Sequence, residues 1–339
     1  AHGGPPDIPA DEDEILHARR LVAQRCLYGV DKNAMAVDLA RLSLWLATLA
    51  RDHEFTFVDH ALRHGNFLVG LTTDQIAAAN WAGGDTHQMA FLLARERTRQ
   101  AEGERERIRE AAEGLGEEAL RPLLKRADRH LDDVRLVGDA VIASFFAADK
   151  ARAREDERAK VLQVLDLAGR EWQSKLKPTV TALRSGEKPI DPFHFEIEFP
   201  EVFDRDNPGF DAVVGNPPFS GKNGIIASNR DGFLDWLKVI HEGAHGNADL
   251  VAHFFRRAFN LLRWDGAMGL IATNTIRQGD TRGTGLRWIR HHGGEIYSAC
   301  RRIKWPGEAA VVVSTVHIAK GEAPRPRMLD GAEVDRLTT

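Results

Sequence analysis

Cysteine is nearly absent. In 339 residues only Cys26 and Cys300 occur, too few and too far apart for a disulfide framework or a cysteine-based zinc site. The 14 histidines form no HExxH or other paired-ligand spacing, and His291-His292 are adjacent, which points their rings apart on a helix or a strand; no metal is expected. Apolar runs stay well below the roughly 18–20 residues that a bilayer span needs, so no membrane partner is expected. The opening AHGGPPDIPADEDE has neither the basic start nor the apolar stretch of a secretory signal, and a cytoplasmic location is the expectation. Excess positive charge is also missing. The formal net charge of −4 argues against a surface built mainly to neutralise phosphates.

What is present is an ordinary globular composition, 43% hydrophobic and 28% charged, with enough length for one large α/β domain or two smaller ones. Basic residues gather in the last third, at Arg277, Arg282, Arg287, Arg290, Arg301, Arg302 and Lys304. They form either a solvated face or a phosphate-facing one.

Residues 11–26 read as a helix capped by Asp11 with Glu14 three positions on. A short strand, Leu27 to Val30, ends in Asp31, and an amphipathic helix comes next with Met35, Leu39, Leu42, Leu46 and Leu49 at 4-3-4-3 spacing. Phe55 to Val58 reads as a second strand, leading to a loop with Gly65-Asn66-Phe67. Strands separated by helices predict an α/β fold with a doubly wound, mostly parallel sheet. Residues 74–190 are Arg/Glu-rich with an apolar stripe through Leu124, Leu131, Val141 and Phe145, the pattern of a long helical insertion.

Sheet-like sequence resumes at Phe193 to Phe199, which alternates apolar and polar, and at Phe210 to Val214. Asp249 opens an amphipathic helix leading to the strand Met268–Thr273, and Glu295–Cys300 with Ala309–Ile318 predicts an antiparallel pair. The expected division is 1–73, a cofactor-side part; 74–190, the helical insertion; 191–325, a catalytic part; and 326–339, a tail.

The chemistry lies in Gly215-Asn216-Pro217-Pro218-Phe219, directly after a buried-type strand. Ligands of open α/β sheets settle beyond the carboxyl ends of strands. The Asn216 side-chain oxygen and the Pro217 carbonyl are two acceptors, and the prolines restrict the backbone that carries them. Two acceptors suit the two hydrogens of an exocyclic amine, whose nitrogen lone pair is then free to take a methyl group directly. Phe219 adds a stacking face for a base rotated out of a duplex. The plain alternative for these four residues is a rigid turn. Asp31, at a strand tip, suits two ribose hydroxyls, with a helix N-cap as its alternative.

Tyr28-Gly29-Val30-Asp31-Lys32-Asn33 through Leu44-Trp45-Leu46, then His64-Gly65-Asn66-Phe67-Leu68, then Phe210 to Phe219, resemble the ordered motifs of gamma-group adenine-N6 DNA methyltransferases. The resemblance extends to the methylase part of bifunctional type II restriction enzymes and of DISARM- or BREX-like phage-defence methylases. It implies a Rossmann-like class I methyltransferase fold, S-adenosylmethionine as cofactor, double-stranded DNA as partner and further segments or subunits of a larger restriction or defence protein. By the same resemblance Asp31, Lys32, Asn33, Gly65, Asn66 and Phe67 bind the cofactor, with Asp31 on the ribose and Asn66 on the adenine. Asn216, Pro217 and Pro218 carry catalysis with Phe219, which stacks on the flipped base. Trp305, before Pro306, matches the late motif whose aromatic packs on the base's other face, its alternative being a core tryptophan.

The chain departs from the family in two places. Many relatives have Asp where Asn66 stands, and the amide oxygen still accepts a hydrogen bond. The Gly-rich loop DPAxGSGxFL has no counterpart here, since Gly3 and Gly4 precede Pro5-Pro6 rather than succeed a strand. The resemblance therefore implies that the chain begins downstream of that loop. Two other readings stay open: a methyltransferase acting on glutamine or ribosomal RNA amines, and a non-catalytic or split methylase module that binds DNA or protein.

Overall fold

The computed structural model describes residues 14–48, 57–111, 115–167, 169–305 and 312–337. Along the chain run α1 (Glu14–Arg25), β1 (Gly29–Asp31), α2 (Ala34–Thr48), β2 (Leu62–His64), α3 (Thr73–Ala77), α4 (Gln88–Arg109), α5 (Glu117–Phe146), α6 (Ala151–Leu167), α7 (Trp172–Leu183), α8 (Phe195–Glu198) and α9 (Pro200–Phe203). Next come β3 (Phe210–Gly215), α10 (Lys222–Ser228), α11 (Phe233–Ile240), α12 (Leu250–Leu261), β4 (Leu262–Thr273), α13 (Gly279–Arg282), a π-helical turn (Gly283–Arg287), α14 (Trp288–His291), β5 (Gly294–Lys304), β6 (Val312–Lys320), β7 (Arg327–Leu329) and β8 (Ala332–Val334). No described helix is long and apolar enough to cross a membrane.

Two compact units interleave along the chain. The first comprises Ala1–Ala78, Asp85–Asp139 and Asp191–Glu201; the second comprises Ala79–Gly84, Ala140–Ile190 and Val202–Thr339.

In the first unit β1 and β2 pair in parallel, with Asp31 opposite His64. The α1–β1–α2 order agrees with the apolar spacing, but α2 packs through a different face from the one the 4-3-4-3 series marks. Val37, Leu44 and Trp45 meet Ala23, Val58 and Leu62, while Met35 and Leu46 stay 69% and 65% exposed with Leu39 and Leu42 also open. The second strand also differs from its expected place. Phe57 and Val58 are buried but not in a strand, Phe55 and Thr56 lie outside the described residues, and the paired segment is Leu62–His64. The Asp11 cap of α1 and Leu49 likewise lie outside the described residues.

A larger correction concerns Phe193–Phe199, whose alternation predicts a strand. These residues form an extended stretch leading into the single turn α8. Phe193, Phe195, Ile197 and Phe199 are all buried. The intervening polar residues are held by the protein rather than by water: His194 bonds Asp139 through Nε2 at 3.2 Å, Glu196 accepts from the Thr73 amide at 2.7 Å, and Glu198 pairs with Arg135. Period-two alternation normally reports one wet face; here both sets point inward.

Glu198 and Glu201 tie this segment to the rest of the first unit. Arg135 grips Glu198 with two bonds of 2.6 and 2.7 Å and also reaches Asp128 at 2.8 Å. Arg63 of β2 bonds the same Asp128 oxygen at 2.6 Å. Arg105 of α4 grips Glu201 with bonds of 2.8 and 2.7 Å and the His60 carbonyl at 3.0 Å, while the Tyr28 hydroxyl donates to Glu201 at 3.0 Å. Burial pushes the Glu198 carboxyl up, but Arg135 and then Arg63 outweigh it and hold the group down to about 2. Burial, with Arg105 beside it, lowers His60 to about 3 and keeps it neutral.

The second unit contains a six-stranded sheet of order β3-β4-β6-β5-β7-β8. β3–β4 and β5–β7 are parallel; β4–β6, β5–β6 and β7–β8 are antiparallel. With β1–β2 the described ladders number three parallel and three antiparallel, so the protein is α/β with a mixed rather than a mostly parallel sheet. The expected antiparallel pair is present as β5 and β6. α12 buries Leu250, Val251, Phe255, Ala258, Phe259 and Leu261. A separate aromatic nest joins Trp81, Phe145, Phe146 and Trp236, with the Arg154 guanidinium 4.1 Å over the Phe145 ring.

Glu198→Gln leaves Arg135 and Arg63 short of a buried counter-charge and is expected to cost about 3–5 kcal/mol, read as a lower urea midpoint at pH 7. Because the folded-state value is depressed to about 2 from the ordinary value of 4.5, this stabilisation is complete above the unfolded value and is lost as pH falls from 4.5 toward 2. Wild-type stability should decline across that window, and the decline should be shallower in the variant.

Candidate functional site

The residues singled out in the sequence fall into two sets, one in each unit. In the first unit the carboxyl ends of β1 and β2 lie side by side, which brings Asp31, Lys32 and Asn33 next to Gly65, Asn66 and Phe67. The Gly65 amide donates to the Asp31 carbonyl at 3.0 Å, and the His64 Nε2 lies 2.9 Å from the Lys32 carbonyl.

Asp31 is exposed at the strand tip. One carboxylate oxygen accepts from the Asn33 amide at 2.7 Å, and the other has no partner among the described residues. Asn33 in turn accepts from the Met35 amide at 3.0 Å, opening α2. The helix is thus capped by Asn33, and Asp31 is left pointing its free oxygen at solvent, which disfavours the plain capping alternative for Asp31.

Asn66 is buried. Its side-chain oxygen accepts from the Leu68 amide at 3.0 Å, its own amide donates to the Asp191 carbonyl at 2.8 Å, and it bridges in parallel to Pro192. One lone pair of that oxygen is therefore already used in shaping the loop. Phe67 is half-buried, edge-on to Phe195 with ring centroids 5.3 Å apart. The loop is fixed from beneath by the 191–196 segment. The Phe193 amide donates to the Val69 carbonyl at 2.7 Å, and the Leu71 amide donates to His194 Nδ1 at 2.9 Å.

In the second unit β3 is the edge strand and runs parallel to β4, with Val214 opposite Gly269 and Gly215 opposite Leu270. Val214 is 84% exposed. The chain leaves β3 directly into Asn216-Pro217-Pro218-Phe219. Asn216 and Pro218 are exposed, Pro217 is buried and Phe219 is half-buried. The Asn216 side chain has no hydrogen-bond partner among the described residues, so both its donor and its acceptor are open to a ligand. Trp305 sits half-buried just past Lys304 at the end of β5; Pro306 lies outside the described residues.

Asp249 caps α12, its Oδ1 accepting from the Val251 amide at 3.0 Å. Of the basic cluster, Arg301 is committed to Asp330 with bonds of 2.9 and 2.7 Å, and Arg302 occupies a left-handed conformation (φ 56°) in the bulge between Cys300 and Ile303. What sequence reasoning missed is the scaffold under Asn66. Pro192, Phe193 and His194 carry no local signal for it, because their partners are over 100 positions away.

A family model described as Eco57I restriction-modification methylase matches residues 25–294. The chain belongs to that family. RM.MjaORFECS2P of Methanocaldococcus jannaschii, described as a type II restriction enzyme and methyltransferase, is 22% identical over 311 residues, covering 82% of this chain and 24% of that protein. The chain thus spans about a quarter of the length of this curated relative. Among solved structures, the type IIL restriction-modification enzyme MmeI in complex with DNA aligns with a TM-score of 0.30 at 23% identity, over 34% of this chain and 16% of that one. A class I S-adenosylmethionine-dependent methyltransferase of Listeria monocytogenes aligns with a TM-score of 0.29 at 11% identity, over 76% of this chain and 89% of that one. At such scores neither likeness bears on the fold, which rests on the strand order itself.

The loop geometry separates two glycines. A Cβ on Gly70 would lie 1.9 Å from the Phe193 carbonyl oxygen, a backbone atom, whereas one on Gly65 would meet the Phe193 side chain, Cδ2 at 2.7 Å and Cβ at 2.8 Å. Gly70→Ala is expected to lower the thermal midpoint more than Gly65→Ala, because its overlap is deeper and falls on the backbone of a residue whose amide is tied to Val69. Equal midpoints by differential scanning calorimetry would contradict this.

Proposed function

We propose that this member of the Eco57I restriction-modification methylase family methylates the N6 amino group of adenine in DNA, with S-adenosylmethionine as donor and the target base flipped out of the duplex. The observation that carries the reading is the Asn216–Phe219 turn at the carboxyl end of β3. An exposed, unpartnered amide side chain stands at the exit of a strand, next to two prolines and a half-buried ring. Asn216 Oδ1 and the Pro217 carbonyl accept the two hydrogens of the adenine amine and leave its nitrogen lone pair directed at the incoming methyl group. Neither acceptor removes a proton before attack; after transfer the nitrogen carries positive charge, and its extra proton passes to bulk water. Phe219 gives the flipped base a stacking face, with Trp305 as the second aromatic.

The cofactor role goes to the first unit. A ribose diol needs a carboxylate with a free oxygen, and Asp31 has one; Gly65 is buried and Phe67 half-buried beside it. When bound, the cofactor supplies an activated methyl group. Asp31 would hold its ribose, Lys32 and Asn33 would flank it, and Asn66 with Phe67 would meet its adenine ring. Asn66 has one oxygen lone pair left for that purpose, and this is the least free member of the set.

The wider setting is a restriction-modification or phage-defence system, in which double-stranded DNA is the partner and further segments or subunits of a larger protein choose the target sequence. Family membership and the relative's description support that setting.

The roles separate by mutation in the full-length protein. Asn216→Ala is expected to lower single-turnover methyl transfer to unmethylated DNA by at least roughly 100-fold while sparing cofactor affinity. Asp31→Ala is expected to weaken cofactor binding, measured by calorimetry, and to recover transfer at saturating cofactor. Equal losses of cofactor affinity in both variants would remove the assignment.

A further inference from the structure

The Asn216–Phe219 turn contains two prolines and so has few amides with which to hold its own shape. On its N-terminal side it is fixed by the β3–β4 ladder, where Gly215 pairs with Leu270. On its C-terminal side the first residue beyond it, Ser220, is gripped by both backbone groups. The Ser220 amide donates to Asp249 Oδ1 at 3.2 Å, and the Ser220 carbonyl accepts from the Leu250 amide at 2.8 Å.

Asp249 is 8% exposed and is itself fixed twice. Its Oδ1 caps α12 through Val251, and its amide donates to the Thr281 hydroxyl oxygen at 3.0 Å. Thr281 lies in α13, which runs into the π-helical turn Gly283–Arg287; there Thr284 accepts from the His245 amide at 3.0 Å. Such turns are frequent where a helix serves a function other than packing. This same stretch carries Arg282 and Arg287.

We infer that Asp249 is a positioning residue for the Asn216–Phe219 turn, holding it through the Ser220 peptide. The inference rests on the reading of that turn as the amine-binding element. Phe219 is bonded directly to Ser220, so releasing the Ser220 amide frees the stacking ring first and the two acceptors after it. A misplacement of about 1 Å in such a constellation is enough to cost on the order of 100-fold in rate.

Capping and gripping can be separated. Asp249→Ser retains an N-cap oxygen for Val251 but is too short to reach Ser220, whereas Asp249→Asn keeps the Oδ1 acceptor for both. In the full-length protein Asp249→Ser should hold its thermal midpoint within about 2 °C of wild type and keep its cofactor affinity. It should exchange the Ser220 amide with deuterium faster and lose roughly 10- to 100-fold in single-turnover transfer of tritiated methyl groups to unmethylated plasmid DNA. Asp249→Asn should restore both the protection and the rate. Unchanged exchange at Ser220 in Asp249→Ser overturns the grip, and faster exchange with a wild-type rate overturns its role in positioning. Asn216→Ala, run alongside, isolates the underlying reading: if that variant transfers normally the amine-binding assignment has failed, whatever Asp249 does.

Discussion

Two buried carboxylates, Glu198 and Glu201, hold the first unit together. Each draws in arginines from elements far apart in the chain, β2 and α5 for Glu198 and α4 for Glu201. Buried charges are costly unless paired and hydrogen-bonded. Asp128 shares Arg135 and Arg63 with Glu198, but once Arg105 is inside only Glu201 answers it among the described residues, and the segment that carries the two glutamates must lie where it does. Its position places Asp191, Phe193 and His194 beneath residues 66–71. The loop carrying Asn66 is therefore shaped by charge pairing some distance from it.

The second unit fixes its turn without ion pairs, by strand pairing on one side and by Asp249 at Ser220 on the other. Parallel pairing with β4 sets where β3 ends, and the two prolines stiffen the backbone just beyond that end. Asn216 then projects free because it is the one residue of the turn with a hydrogen-bonding side chain and no role in the fold. A residue kept polar, exposed and unpartnered between a strand and a Pro-Pro step has more to offer a ligand than the fold.

Short-range signals were legible in the chain, and long-range ones were not. The strand tip at Asp31, the turn after β3, the cap at Asp249 and the β5–β6 pair are all written in neighbouring residues and appear where local chemistry puts them. Phe193–Phe199 misleads because alternation cannot distinguish water from a buried partner as the destination of a polar side chain. His194, Glu196 and Glu198 find Asp139, Thr73 and Arg135 at separations of 55, 123 and 63 residues. The α2 stripe misleads similarly, since spacing marks an apolar face without saying whether these residues supply its cover; Val37, Leu44 and Trp45 turn inward instead. Asn66 is an intermediate case, its position beside β2 legible and its engagement with Leu68 and Asp191 not.

The interleaving of the two units imposes an order on biosynthesis. Arg135 precedes Glu198 by 63 residues and Arg105 precedes Glu201 by 96, and most of the intervening chain, Ala140–Ile190, belongs to the second unit. At a ribosomal pace of roughly 5–20 residues per second, Arg105 waits about 5–19 seconds for its counter-charge. During that interval α4 cannot close over Arg105 without stranding a bare cation, whereas Arg135 of α5 already has Asp128 on its own helix. The nascent first unit must stay open and hydrated until the Phe193–Glu201 segment has emerged, so the two units are coupled in time by the order of the chain.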